Sequence, residues 1–217
     1  MNRPRRRFDG LLWAGLILVV ATILLAFMLA NVRLRLCLGK PLPLLGGIGD
    51  FTLTNQLGKT VTLADLRGHV WVADIIFTRC AGPCLKMSRQ MKELQESLAS
   101  TSNTRLVSLT TDPGFDTPPV LKAYGERFGA DPRRWTFLTG SKKEVADLAG
   151  KSLKLSAVEK KPEERESAVD LFIHSTLFVI VDKKAQLRGV FQTTGEEIDP
   201  QKVKKEIQAA IHRLERE

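Results

Sequence analysis

The sequence predicts an α/β fold, a mixed sheet with helices on both faces, preceded by one transmembrane helix. Three observations predict it. Leu11 to Ala30 is an uninterrupted run of twenty residues without a charge. From Gly46 onward, short β-branched and aromatic runs alternate with segments of helical period. The chain then closes on a hairpin pattern followed by an amphipathic helix.

The elements follow in order. At about 1.5 Å per residue the apolar run spans roughly 30 Å, the thickness of a bilayer core. A cleaved signal peptide would have an apolar region of about 7 to 15 residues ending at a small-x-small site. Asn31-Val32-Arg33-Leu34-Arg35 is a poor cleavage site, so an uncleaved anchor is expected. Phe51-Thr52-Leu53 and Thr60-Val61-Thr62-Leu63 flank Asn55-Gln56-Leu57-Gly58, a hairpin signal. Val70 to Phe77 reads as a buried strand, and Cys84, Met87, Ser88, Met91, Leu94 and Leu98 mark the inner face of a helix after it. Arg105 to Thr110 is the next strand. Thr117-Pro118-Pro119 caps a helix whose inner face reads as Val120, Tyr124 and Phe128. Trp135 to Leu138 is a short strand, and Ser141 with Glu144 forms a capping box for a helix through Leu148. Thr176 to Val181 and Gln186 to Phe191 flank a turn at Asp182-Lys183-Lys184. The last helix starts at Asp199-Pro200 and buries Val203, Ile207, Ala210, Ile211 and Leu214. Strand, helix, strand, helix, hairpin and closing helix is the thioredoxin-like plan.

The formal charge of +9 is unevenly placed. Residues 1 to 49 hold seven basic residues against Asp9, and the remainder of the chain carries only +3. The bulk of the chain is therefore not a polyanion binder, and no nucleic acid partner is expected. Arg3, Arg5, Arg6 and Arg7, with the terminal amine, outweigh Arg33, Arg35 and Lys40 and favour an N-terminus on the cytoplasmic side.

Cys80 and Cys84 bracket Ala81-Gly82-Pro83 where the buried strand meets a helix N-terminus. The helix dipole and free N–H groups at such a place favour thiolates, so two soft sulfurs of low pKa are expected. Three uses stay open: redox chemistry, soft-metal binding and a passive disulfide. A four-residue offset at a helix start puts both sulfurs on one face, at a spacing that closes a disulfide or holds one metal ion. Two thiolates leave an ion under-coordinated, so a third ligand is sought among three histidines. His69 lies at the far end of the cysteine strand and His212 in the last helix, both with surface readings. His174 immediately precedes the strand at 176 to 181, on a loop that the thioredoxin-like plan sets beside the cysteine turn.

With these residues in place the chain resembles the SCO/SenC family of membrane-anchored copper proteins that assist cytochrome c oxidase assembly. The resemblance covers about residues 43 to 212. It rests on Asp50-Phe51-Thr52-Leu53-Thr54, Phe77-Thr78-Arg79-Cys80-Ala81-Gly82-Pro83-Cys84, Thr111-Asp112-Pro113, Asp116-Thr117-Pro118, Arg127-Phe128-Gly129-Ala130, Phe137-Leu138-Thr139-Gly140 and His174-Ser175. It implies a copper site of Cys80, Cys84 and His174, taking Cu(I) and also accommodating Cu(II). It implies as partners the copper-bearing subunit of cytochrome c oxidase, a copper donor protein and the membrane. The expected organisation is a basic cytoplasmic N-terminus at 1–10, a transmembrane anchor at 11–31, a linker at 32–45 and a thioredoxin-like SCO domain at 46–217. The domain would lie on the outer, periplasmic side of a bacterial cytoplasmic membrane. Two positions depart from the family pattern: Leu85 stands where the family often has proline, and Ile173 where it has aspartate before the histidine. The second removes a carboxylate that would orient the imidazole.

Other residues have plain readings. Met87 and Met91 are core by their helical spacing. Asp74, in the apolar strand, either tunes the thiols or bonds to the backbone. Asp112 and Asp116 read as turn and cap residues, and Cys37 as a bystander thiol. The functions expected are a copper metallochaperone for the dinuclear copper centre of the oxidase or, from a different class, a membrane-anchored thiol:disulfide oxidoreductase acting on cysteines of the oxidase subunit. Both use Cys80 and Cys84, as copper ligands in the first and as a redox-active pair in the second, and only the first requires His174. A peroxidase is disfavoured, because the chain lacks a Thr-x-x-Cys arrangement at its cysteine turn.

Overall fold

The computed structural model describes residues 5–38, 41–80, 82–98, 103–159, 161, 163 and 172–217, with the side chains of 5–11, 32–38, 157–159 and 172–174 left aside. The chain divides into two units, Met1–Pro41 and Leu42–Glu217. The first is one helix, α1 (Arg5–Leu38), whose segment Leu12–Asn31 has a mean hydropathy of 2.7 and no buried residue. By length and composition it suffices to cross a bilayer.

The second unit is built on an eight-stranded sheet in the order β1, β10, β9, β4, β5, β6, β2, β3. Its strands are β1 (Gly46–Gly47), β2 (Thr52–Asn55), β3 (Thr60–Thr62), β4 (Val70–Ile76), β5 (Thr104–Thr110), β6 (Trp135–Thr139), β9 (Leu177–Val181) and β10 (Gln186–Gln192). The β4–β5 and β5–β6 pairs are parallel and the other pairs antiparallel. All seven residues of β4 are buried because helices cover both sides of it, which explains its unbroken apolar run. Val70, Val72 and Ile76 face one core with α3 (Pro83–Ser97), α4 (Pro118–Arg127) and α6 (Pro200–Leu214). Trp71, Ala73 and Ile75 face the other with α2 (Leu63–Leu66) and α5 (Lys142–Ala146). This is the mixed sheet with helices on both faces that the sequence predicts.

The boundaries hold small corrections. α5 has the expected Ser141 and Glu144 capping box but ends at Ala146 and widens into a π turn, Asp147–Ser152, so the regular helix does not reach Leu148. Around α4, Tyr124 and Phe128 are buried as the sequence predicts, but Leu121 joins them in the core while Val120 is only half-buried. Val203 of α6 is likewise half-buried. The segment before β9 contains a strand, β8 (Phe172–His174), paired antiparallel with β7 (Ala157–Glu159), where the sequence reads as loop. Its signal is hidden because β7 and β8 lie twelve residues apart across a highly charged stretch.

Candidate metal and thiol site

The cysteine turn stands at the C-terminal end of β4. Gly82 serves as N-cap of α3 with φ −126° and ψ −103°, and Pro83 takes the first helical position, where its missing N–H costs nothing. Cys84 thus enters one residue inside the helix. Both cysteines are buried and neither is in a disulfide, with Cys84 the more deeply enclosed. The Cys84 thiol is hydrogen-bonded to the Cys80 sulfur, so the structure brings the predicted pair together.

The expectation of a low thiol pKa is overturned for Cys84. Its bond to Cys80 and its burial push it well above the ordinary thiol range, with the charges of Cys80 and Asp74 adding to the rise, against one backbone hydrogen bond at Phe77. The helix N-terminus favours a thiolate, but a second sulfur and a buried carboxylate on the same face outweigh it.

The floor of the site is polar. Ser108 Oγ donates to Asp74 Oδ1 at 2.6 Å and accepts from Trp135 Nε1 at 2.9 Å, all three residues being fully buried. Asp74 therefore meets a side chain of β5, and its charge acts on the Cys84 thiol, the first of the two readings made from sequence. Ser88 and Tyr124 share a hydroxyl hydrogen bond of 2.8 Å beneath the turn. Burial pushes the Tyr124 phenol above its ordinary range, which keeps it neutral. Met87 and Met91 are fully buried and pack in the core, as their spacing predicts.

The histidines separate as expected. His69 Nδ1 lies 3.1 Å from Asn103 O at the opposite end of β4, and the His212 side chain is 48% exposed beside Glu215. His174 ends β8, three residues before β9 begins at Leu177. β9 runs antiparallel to β4, so its N-terminal end lies where β4 delivers the cysteine turn. The His174 side chain is outside the described residues, as are Ala81 and the side chain of Cys37. Among the described residues no group of three His, Cys, Asp or Glu is arranged around a metal position.

Sequence reasoning missed how the turn is held. Asp116 is fully buried and accepts from Thr78 N–H at 3.1 Å, Thr78 Oγ at 2.5 Å and Thr110 Oγ at 2.5 Å. Desolvation raises its pKa despite these three bonds. Asp112 forms an ion pair with Arg79 at 2.5 Å, and the Arg79 guanidinium lies 4.2 Å from the Phe115 ring centroid. No local pattern announces a contact across 38 residues, so these partners of the turn could not be read from sequence.

A thioredoxin-like sheet with a close thiol pair at the end of its central strand defines the class of protein. The SCO1/SenC family model matches residues 46–212, and the chain belongs to that family. It is similar to the SCO1 protein homolog of Bacillus subtilis (strain 168), 40% identical over 162 residues that cover 72% of this chain and 81% of that protein. Among solved structures it is similar to BsSco, described as a member of the Sco family of cytochrome c oxidase assembly proteins in which a disulfide switch was identified. That match has a TM-score of 0.64 and 31% identity, covering 79% of this chain and 98% of that one. Yeast Sco1 with copper bound matches with a TM-score of 0.60 and 25% identity, covering 76% of this chain and 88% of that one.

Proposed function

We propose that this protein carries copper for the assembly of cytochrome c oxidase, as a membrane-anchored metallochaperone that holds its cargo through Cys80, Cys84 and His174. The observation that carries the reading is the pair of buried thiols in mutual contact at the end of β4. Two thiols shielded from water suit a soft cation, and an imidazole completes a set that serves Cu(I) and also Cu(II). The backbone course supports the third ligand, because β9 starts at the cysteine end, three residues after His174. The relatives support the cargo, one described with copper and another tied to oxidase assembly. The apolar α1 supports the anchor, and the arginine excess before it supports an outer location for the copper domain.

A second reading is favoured by the same sulfur contact. Two thiols already hydrogen-bonded to each other need little movement to form a disulfide, and a disulfide form cannot bind copper. Thiol exchange with the cysteines of an oxidase subunit then uses the same pair without His174.

Copper titration of the reduced full-length chain in detergent tests the reading. One Cu(I) per chain is expected. Cys80→Ser or Cys84→Ser should abolish tight binding, because a hydroxyl is a far poorer ligand for a soft metal. His174→Ala should alter affinity and the Cu(II) spectrum while the disulfide still forms. A His174→Ala chain identical to wild type in stoichiometry, affinity and spectrum would refute the three-ligand site and leave the oxidoreductase reading in front.

A further inference from the structure

The loop that joins β5 to α4 grips the cysteine turn through Thr78 and Arg79. Thr78 stands two residues before Cys80, and Asp116 engages both its N–H and its hydroxyl, one on each carboxylate oxygen. The oxygen that receives the N–H also receives the Thr110 hydroxyl from the end of β5. Thr110 Oγ in turn accepts from Asp112 N–H at 3.0 Å. One residue further on, Arg79 is held between the Asp112 carboxylate and the Phe115 ring. The Cys80 N–H donates to Phe77 O at 3.2 Å, which closes the turn over the clamped residues.

For fold stability alone a buried carboxylate is a poor choice. Its three donors are neutral, so no opposite charge offsets the cost of taking the carboxylate out of water. What the carboxylate supplies is direction. Two oxygens facing an N–H and a hydroxyl of one residue fix the backbone and the side-chain rotamer of Thr78 together, and Cys80 departs from that backbone.

We infer that Asp116 is a positioning residue for the thiol pair: through Thr78 it sets the course of the turn that brings the Cys80 sulfur against Cys84. The inference rests on the reading of Cys80 and Cys84 as the working pair. Asp116 touches neither sulfur in any hydrogen bond described above, and its effect reaches them through the backbone.

The test uses the full-length chain in detergent and the variant Asp116→Asn, which keeps the shape and turns one acceptor into a donor facing donors. The first readout needs no metal. In glutathione buffers the dithiol gives two electrons and two protons to one oxidised glutathione, forming the Cys80–Cys84 disulfide and two reduced glutathiones. Asp116→Asn should shift this equilibrium about tenfold towards the dithiol, because the sulfurs are no longer held adjacent. The second readout is copper: affinity should fall about ten- to hundredfold, with a changed Cu(II) absorption spectrum. Ile207→Val in α6, fully buried and part of another element, serves as a control that lowers the unfolding midpoint without moving either readout. Should Asp116→Asn not fold, Thr78→Val removes one of the two bonds to Thr78 in the same shape and should shift both readouts in the same direction.

Wild-type values for Asp116→Asn, or for Thr78→Val where that variant carries the test, overturn the inference. Equal shifts in Ile207→Val overturn it as well, since the effect would then be general. A wild-type chain that binds no copper and forms no disulfide refutes the proposed function itself, an outcome recognisable before any variant is made.

Discussion

The two ends of the sheet each bury a charge, and they neutralise it differently. At the end away from the cysteines, Arg188 of β10 is 11% exposed and faces two carboxylates, Asp182 at 2.8 Å and Glu217 at 2.9 Å. Its remaining donors reach Leu42 O and Pro43 O at 3.0 and 3.3 Å, where the chain enters the domain. Against the desolvation that lowers it, these carboxylates hold the guanidinium more basic than an ordinary arginine. At the cysteine end, Asp116 meets only neutral donors, and burial raises its pKa. A buried charge matched by opposite charge ties segments together. One matched by dipoles costs more to keep and imposes finer geometry, which suits an end that holds a reactive turn.

Breaking the matched end should have the largest effect on stability. Arg188→Ala leaves Asp182 buried without its cation and frees the Leu42–Pro43 carbonyls, so a loss of about 3 kcal/mol is expected in a denaturant titration. Copper stoichiometry and spectrum of the folded variant should match wild type. A changed spectrum would show that the two ends are coupled and would end the contrast.

A smaller loss is expected from the polar floor beneath the turn. Ser108→Ala removes the hydroxyl that donates to Asp74 and accepts from Trp135, at a cost of about 1 to 3 kcal/mol. The unfolding midpoint should fall between those of Arg188→Ala and wild type. A neutral result would mean that the floor relaxes around the missing group, and that the cysteine end is less finely built than Asp116 suggests.

The smallest effect belongs to a surface pair. Glu93 of α3 accepts from Lys204 of α6 at 2.8 Å, and that bond holds its carboxyl below the ordinary range. A lowered folded pKa contributes stability that is present above the unfolded value, near 4.5, and is lost as pH falls through the folded value. Because Glu93 is 44% exposed, the pair is screened and is worth about 0.2 to 1 kcal/mol. Glu93→Gln should therefore match wild type below that range and lag slightly at pH 7. A deficit at pH 7 as large as that of Arg188→Ala would contradict the ranking of buried over exposed charge.

By itself the sequence determined the long apolar helix, the alternation that builds the sheet, and the thiol pair at a strand-to-helix junction. These are local signals: a run of twenty uncharged residues, periods of two and of three to four, and a Gly-Pro turn between two cysteines. Met87, Met91 and Leu94 sit in the core for the same reason, since helical spacing alone turns them to one face. Only the tertiary structure decided the rest. The thiol pKa of Cys84 depends on Cys80, Asp74 and burial acting together, which outweigh the helix terminus that the sequence does reveal. The Asp116 to Thr78 bond and the Ser108 bridge join strands and loops 34 to 38 positions apart. Such contacts exist only once parallel β4 and β5 are side by side, because their register, and no local pattern, chooses which polar side chains meet.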